Sequence, residues 1–73
     1  MIAITVNGVG ESIKRGTTIR DFILLKNLNP EDVLVEYNFW IISRMELEYV
    51  ILKEHDRLEF LNYSLPLNQN ASL

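Results

Sequence analysis

Residues 52–60 read LKEHDRLEF, and this stretch decides the fold. Apolar and charged residues alternate in its second half, so that Leu58 and Phe60 face one way and the charged residues between them face the other. This period of two is typical of a half-buried strand. Polar residues precede it at 53–56 and predict a turn. We therefore expect the last strand of the domain over residues 57–63.

A hairpin is predicted at the beginning of the chain. Residues 1–6 alternate in the same way, with isoleucine or valine at every second position. Residues 7–10 read NGVG and supply residue types that tolerate positive φ, which favours a turn there. Residues 11–14 return as a short second strand.

A helix is predicted to begin at Ile19. The segment from Thr18 to Asp21 fits a capping box, in which the threonine hydroxyl accepts a hydrogen bond from a free amide of the first turn. Asn27 is suited to a left-handed C-terminal cap. The helical wheel places four apolar side chains on one broad face, namely Ile19, Phe22, Ile23 and Leu25.

Two further strands are predicted in the second half of the chain, at residues 33–37 and 40–42. Between them stands Asn38-Phe39. A tight turn with positive φ at both residues is costly for phenylalanine, so we expect a different or longer turn. Ser43 to Glu46 forms a second capping box, with room for only a turn or two of helix before Tyr49.

Composition limits the class of protein. The chain has 73 residues, which is enough for one domain, and no cysteine, which excludes disulfides and thiol chemistry. Seven basic residues are scattered among ten acidic ones, for a net charge of −3, and this argues against nucleic-acid binding. We find no signal sequence or membrane-spanning stretch and expect a cytoplasmic protein.

Three segments together resemble the ThiS family, the sulfur carriers of thiamine biosynthesis. They are ITVNG at 4–8, RGTT at 15–18 and LKEHDRLEF at 52–60, in this order. The resemblance spans residues 2–63. It implies an α+β fold of the ubiquitin-like β-grasp type, with a mixed four- to five-stranded sheet curled over one α-helix plus a short helical turn. We accordingly expect a β-grasp domain at 1–63 and a flexible tail or the start of a linker at 64–73.

The resemblance also implies a function in the synthesis of the thiamine thiazole. Members of this family dock on a ThiF-like adenylating enzyme and on thiazole synthase, and their terminal Gly-Gly carries sulfur as a thiocarboxylate. The last glycine here is Gly16, and residues 62–73 read NYSLPLNQNASL. Leucine and proline at the family's glycine positions would obstruct the passage of the tail into the activating enzyme. We therefore expect this chain, as written, not to carry sulfur efficiently.

The alternative is a β-grasp interaction module without carrier chemistry, or a fragment of a larger activating-enzyme protein. Either way we expect a carrier or interaction protein rather than an enzyme, and no catalytic, cofactor-binding or metal-binding residue is predicted. His55 is interpreted as a turn residue, because no second imidazole or thiol accompanies it. Aromatic residues and the family's docking mode indicate five partner-binding residues: Phe39, Trp40, Tyr63, Leu65 and Pro66. For Trp40, packing over an edge of the core is an equally good interpretation.

Overall fold

Two hairpins, one helix and a last strand that joins the hairpins make up the fold, which we describe from a computed structural model. The structure describes residues 1–62. The regular elements are β1 (Ile2–Val6), β2 (Val9–Ile13), α1 (Ile19–Leu25), β3 (Val35–Tyr37), β4 (Trp40–Ile41) and β5 (Arg57–Phe60). Short 3-10 turns at Pro30–Asp32 and Arg44–Glu46 lie in the connections.

The five strands form one mixed sheet in the order β2-β1-β5-β3-β4. The central neighbours β1 and β5 run parallel, with Thr5 opposite Arg57, and the other pairs are antiparallel. This arrangement over one helix is the β-grasp, and the predicted fold class is confirmed.

The core lies between α1 and the inner face of the sheet. Leu58 and Phe60 of β5 are 0% and 1% exposed, which confirms the facing predicted from their alternation. The Phe60 ring lies 6.2 Å from the ring of Phe22 on α1, in a tilted arrangement. The other fully enclosed side chains come from β1, α1, β3 and the connection between β4 and β5: Ile2, Ile4, Val6, Ile19, Ile23, Val35, Leu47 and Leu52.

Helix α1 begins as predicted, because the Thr18 hydroxyl accepts a 3.0 Å hydrogen bond from the Asp21 amide. Asn27 follows the helix with φ +61, the left-handed conformation expected of it. The predicted burial of Leu25 is wrong, since it is 70% exposed. The reason is that α1 ends at Leu25 and the adjoining edge of the core is covered by Lys26, whose ammonium lies 5.4 Å from the Phe22 ring centre.

Both hairpins close through two-residue turns that begin with asparagine. Asn7-Gly8 has φ +48 and +82, and Asn38-Phe39 has φ +47 and +75. The expectation of a different or longer turn at Asn38-Phe39 is therefore wrong. The two asparagine side chains also hold β5, because the Asn7 Oδ1 accepts from the Phe60 amide at 2.7 Å and the Asn38 Oδ1 accepts from the Arg57 amide at 2.8 Å. Tertiary hydrogen bonds thus offset a turn sequence with poor local propensity.

Candidate partner-binding site

The second hairpin presents three large side chains to solvent. Phe39, Trp40 and Ile41 are 74%, 76% and 62% exposed, and we call residues 38–41 the aromatic hairpin. Because β4 is only two residues long and lies at the edge of the sheet, neither the core nor a further described strand covers these side chains. Exposed aromatic groups of this kind are enriched at the centres of protein interfaces.

The strand register assigns these side chains to the two faces of the sheet. Ile41 pairs with Glu36, which lies on the outer face, whereas Trp40 pairs with Tyr37 on the face toward α1. The Phe39 ring lies over the outer-face guanidinium of Arg57, 4.3 Å from its centre. Phe39 and Ile41 therefore border the outer face, and Trp40 lies at the edge beside it.

A charged cluster occupies the outer face next to the hairpin. The Arg57 guanidinium contacts Glu36 at 2.9 Å and Glu59 at 2.8 Å, and all three side chains are partly buried. One cation shared by two carboxylates leaves this cluster with a net charge of −1. The outer face thus offers an apolar rim and an excess negative charge to a partner.

Asp56 connects the aromatic hairpin to the 53–56 turn. Asp56 is 5% exposed. Its carboxylate accepts hydrogen bonds from the Tyr37 hydroxyl at 2.8 Å, the Asn38 side-chain amide at 3.1 Å and the Lys53 backbone amide at 2.7 Å. Burial alone would raise the pKa of Asp56, but these hydrogen bonds and the charge of Lys53 outweigh burial and lower it. The ionised carboxylate therefore ties the 53–56 turn to the aromatic hairpin.

The pKa values of Tyr37 and Lys53, which interact with Asp56, are shifted in turn. Burial and the hydrogen bond to the Asp56 carboxylate raise the pKa of Tyr37, against the opposing effect of Lys53. The Lys53 ammonium lies 3.1 Å from the Tyr37 hydroxyl, and this contact and the charge of Asp56 raise the pKa of Lys53. At neutral pH Asp56 is therefore ionised, Tyr37 is neutral and Lys53 is protonated. This cluster is suited to holding a turn rather than to proton transfer.

Of the five predicted partner-binding residues, Phe39 and Trp40 lie side by side in the aromatic hairpin. Tyr63, Leu65 and Pro66 lie outside the described residues, as does the predicted tail at 64–73. Ile41 and Arg57 lie on the outer face beside Phe39, and neither residue was predicted from the sequence. The alternation at 57–60 could have predicted that Arg57 faces away from the core. Its position beside the hairpin could not be predicted, because it depends on the pairing of β3 with β5.

His55 is exposed in the 53–56 turn with φ +72, and its amide donates to the Ala3 carbonyl at 2.7 Å. Residues 1–62 contain no grouping of three or more histidine or acidic side chains that could hold a metal ion. The same part of the chain has no helix of the length and apolarity that crossing a membrane requires.

Comparison with solved structures finds a neighbour with the same fold. The fold matches the crystal structure of the thiamine biosynthesis protein ThiS from Geobacter metallireducens with a TM-score of 0.74 and 26% sequence identity. The match covers 86% of this chain and 96% of that one. The sequence matches no protein-family model and no curated relative. The resemblance to ThiS-type carriers indicated by the three sequence segments is thus confirmed at the level of the whole structure.

Proposed function

We propose that this chain is a ThiS-like protein of thiamine (thiazole) biosynthesis that acts by docking on a ThiF-like adenylating enzyme and on thiazole synthase. The observation that carries the proposal is the structural match to ThiS over 86% of the chain. In this proposal the chain is a carrier or interaction protein rather than an enzyme. It works in the cytoplasm, in keeping with the absence of cysteine.

The outer face and the aromatic hairpin form the docking surface in this proposal. Trp40 and Phe39 supply large apolar area with few rotatable bonds, which lowers the entropy lost on binding. The excess negative charge of the Arg57 cluster favours a partner that presents a cation at the rim. Tyr63, Leu65 and Pro66 remain proposed contacts of the segment that follows.

Substitution of Trp40 tests the docking surface. Calorimetric titration of the adenylating enzyme and of thiazole synthase from the same organism measures the dissociation constants. Trp40→Ala should weaken binding by about tenfold or more, as expected of an interface hot spot. Tyr49→Ala is the matched control, since Tyr49 is also 76% exposed but lies with Arg20 and Arg44 on the helical side of the molecule. Equal effects of the two substitutions, or no binding by the parent chain, would contradict the proposal.

Covalent sulfur transfer is decided by a separate measurement. Residues 62–73 contain leucine and proline at the positions of the family's Gly-Gly, and we propose that docking occurs without efficient sulfur loading. Incubation with ATP, the adenylating enzyme and a sulfur donor, followed by intact mass measurement, shows whether oxygen is replaced by sulfur. Binding without this replacement supports an interaction module, whereas replacement at the native C-terminus establishes a carrier.

A further inference from the structure

At the edge of the sheet opposite the aromatic hairpin, strand β2 presents outward-pointing backbone amides and carbonyls. β2 pairs only with β1 among the described residues, and a two-residue turn sets their register, with Val6 opposite Val9 and Ile4 opposite Glu11. In such a hairpin the odd-numbered residues of β2 bond to β1, so the amides and carbonyls of Gly10 and Ser12 point away from the sheet. An edge of this kind is a template for another strand.

The side chains of this edge leave room for a second backbone. Gly10 and Ser12 are exposed, and no atom lies within 4 Å of the position that a Cβ at Gly10 would occupy. Gly10 also lacks the positive φ that would require glycine. The folded chain itself therefore does not demand glycine there, whereas a closely approaching strand benefits from it.

A groove beside the edge runs between β2 and α1 and has both apolar and basic walls. Met1 and Leu25 are 77% and 70% exposed at its rim. Its charged lining consists of Lys14, Lys26 and Glu11, with Glu11 paired to Lys26 at 2.8 Å. Two lysines against one glutamate give the groove a charge of +1 in a chain of net charge −3. The groove is thus a local basic site on an acidic protein.

We infer that the edge of β2 binds an extended segment of a partner protein by strand addition, with apolar side chains in the groove and acidic ones beside Lys14. Antiparallel pairing places the acidic residues at the N-terminal end of the bound segment, because Lys14 follows the C-terminal end of β2. A second copy of the chain is a poorer occupant. Antiparallel pairing of two β2 strands centred between Gly10 and Ser12 sets Glu11 directly opposite its own copy, and like charges so placed repel.

A synthetic peptide of three aspartates followed by alternating valine and threonine is the probe. Titrated into the isotope-labelled chain and followed by nuclear magnetic resonance, it should bind saturably and shift the backbone amides of Gly10, Ser12 and Leu25. Hydrogen exchange at Gly10 and Ser12 should slow in the complex, which reports strand pairing directly. The same peptide with lysines in place of the aspartates should bind about tenfold more weakly.

Two substitutions separate pairing from charge. Ser12→Pro removes an outward amide that β1 does not use, and should weaken peptide binding by about tenfold or more, with retained folding checked by urea titration. Lys14→Glu should weaken binding roughly fivefold, whereas Arg15→Glu, the same change at an exposed neighbour outside the groove, should have little effect.

Three outcomes overturn the inference: no saturable shift at Gly10 and Ser12, equal effects of the two charge reversals, or a dimer in sedimentation equilibrium that Ser12→Pro dissolves. The last would assign the edge to a second copy. β2 and β4 lie at opposite edges of the sheet, so these results are independent of docking at the aromatic hairpin.

Discussion

Phe39 has φ +75, a backbone conformation that phenylalanine rarely adopts and that costs about 1–2 kcal/mol. Phe39 is 74% exposed, and its contact with the Arg57 guanidinium contributes about 0.5–1 kcal/mol, as expected of an exposed cation–π pair. A strained, exposed aromatic residue contributes little to folding. The docking role proposed for the hairpin would account for an aromatic side chain at this position.

We therefore expect Phe39→Gly to leave the free energy of unfolding within about 1 kcal/mol of the parent value, because relief of strain offsets the lost ring contact and the added chain entropy of glycine. Urea unfolding followed by circular dichroism measures the change. Affinity for the adenylating enzyme should fall in the same variant. A loss of more than about 2 kcal/mol would instead make Phe39 a structural residue.

Asp56 is the opposite case, a buried carboxylate on which folding depends. Asp56→Asn keeps the shape of the side chain but replaces one of the two carboxylate oxygens, which together accept from three donors, with an NH₂ group. The substitution should lower the free energy of unfolding by about 2 kcal/mol at pH 7. Asp32→Asn, the same change at an exposed aspartate, should cost less than about 0.5 kcal/mol. Urea titration of both variants makes the comparison.

The pH dependence of the Asp56 effect follows from the sign of its shift. Because folding lowers the pKa of Asp56, its stabilisation is fully present above the unfolded pKa of about 3.9 and is lost as pH falls through the lower folded pKa. The difference between the parent and Asp56→Asn should therefore narrow below about pH 4. A difference that stays constant down to pH 2 would show that the carboxylate charge is not involved.

Among the elements, α1 is short and depends on its N-terminal cap. With seven residues it is too short to be stable alone, and the Thr18 hydroxyl satisfies one of its free amides. Thr18→Ala should lower the free energy of unfolding by about 1 kcal/mol, as measured by thermal and urea unfolding. Thr18→Ser retains the hydroxyl and should remain within a few tenths of a kcal/mol. Equal losses in both variants would indicate that the threonine methyl group, not the cap, is responsible.

Elements whose signals are local could be predicted from the sequence. The alternation at 57–60, the cap at Thr18 and the left-handed Asn27 all depend on neighbours within a few residues, and all three predictions are confirmed. The turn at Asn38-Phe39 could not be predicted, because its conformation is fixed by Asp56 and by the Arg57 amide, which lie far away in sequence. Phe39 and Trp40 of the candidate site could likewise be predicted, whereas Arg57 could not, because strand pairing between distant segments places it there.

At the scale of the whole molecule, the stability of the fold depends on one small hydrophobic core. A domain of this size has a free energy of unfolding on the order of 5 kcal/mol. Phe60 is 1% exposed and contacts Phe22, so Phe60→Ala should cost about 3–5 kcal/mol and leave a measurable unfolded fraction at 25 °C. Leu61→Ala, at a neighbouring position that is 45% exposed, should leave the protein folded. Thermal unfolding followed by circular dichroism distinguishes them, and a fully folded Phe60→Ala variant would contradict this account of the core.

The parallel pairing of β1 with β5 joins the two ends of the described chain at the centre of the sheet. During translation, the β1–β2 hairpin emerges from the ribosome long before β5, and an isolated hairpin is only marginally stable in water. A nascent chain stalled with residue 60 still inside the exit tunnel lacks the strand on which both hairpins depend. It should remain sensitive to protease until that residue is released, and the protein should therefore acquire its fold late, in one cooperative step.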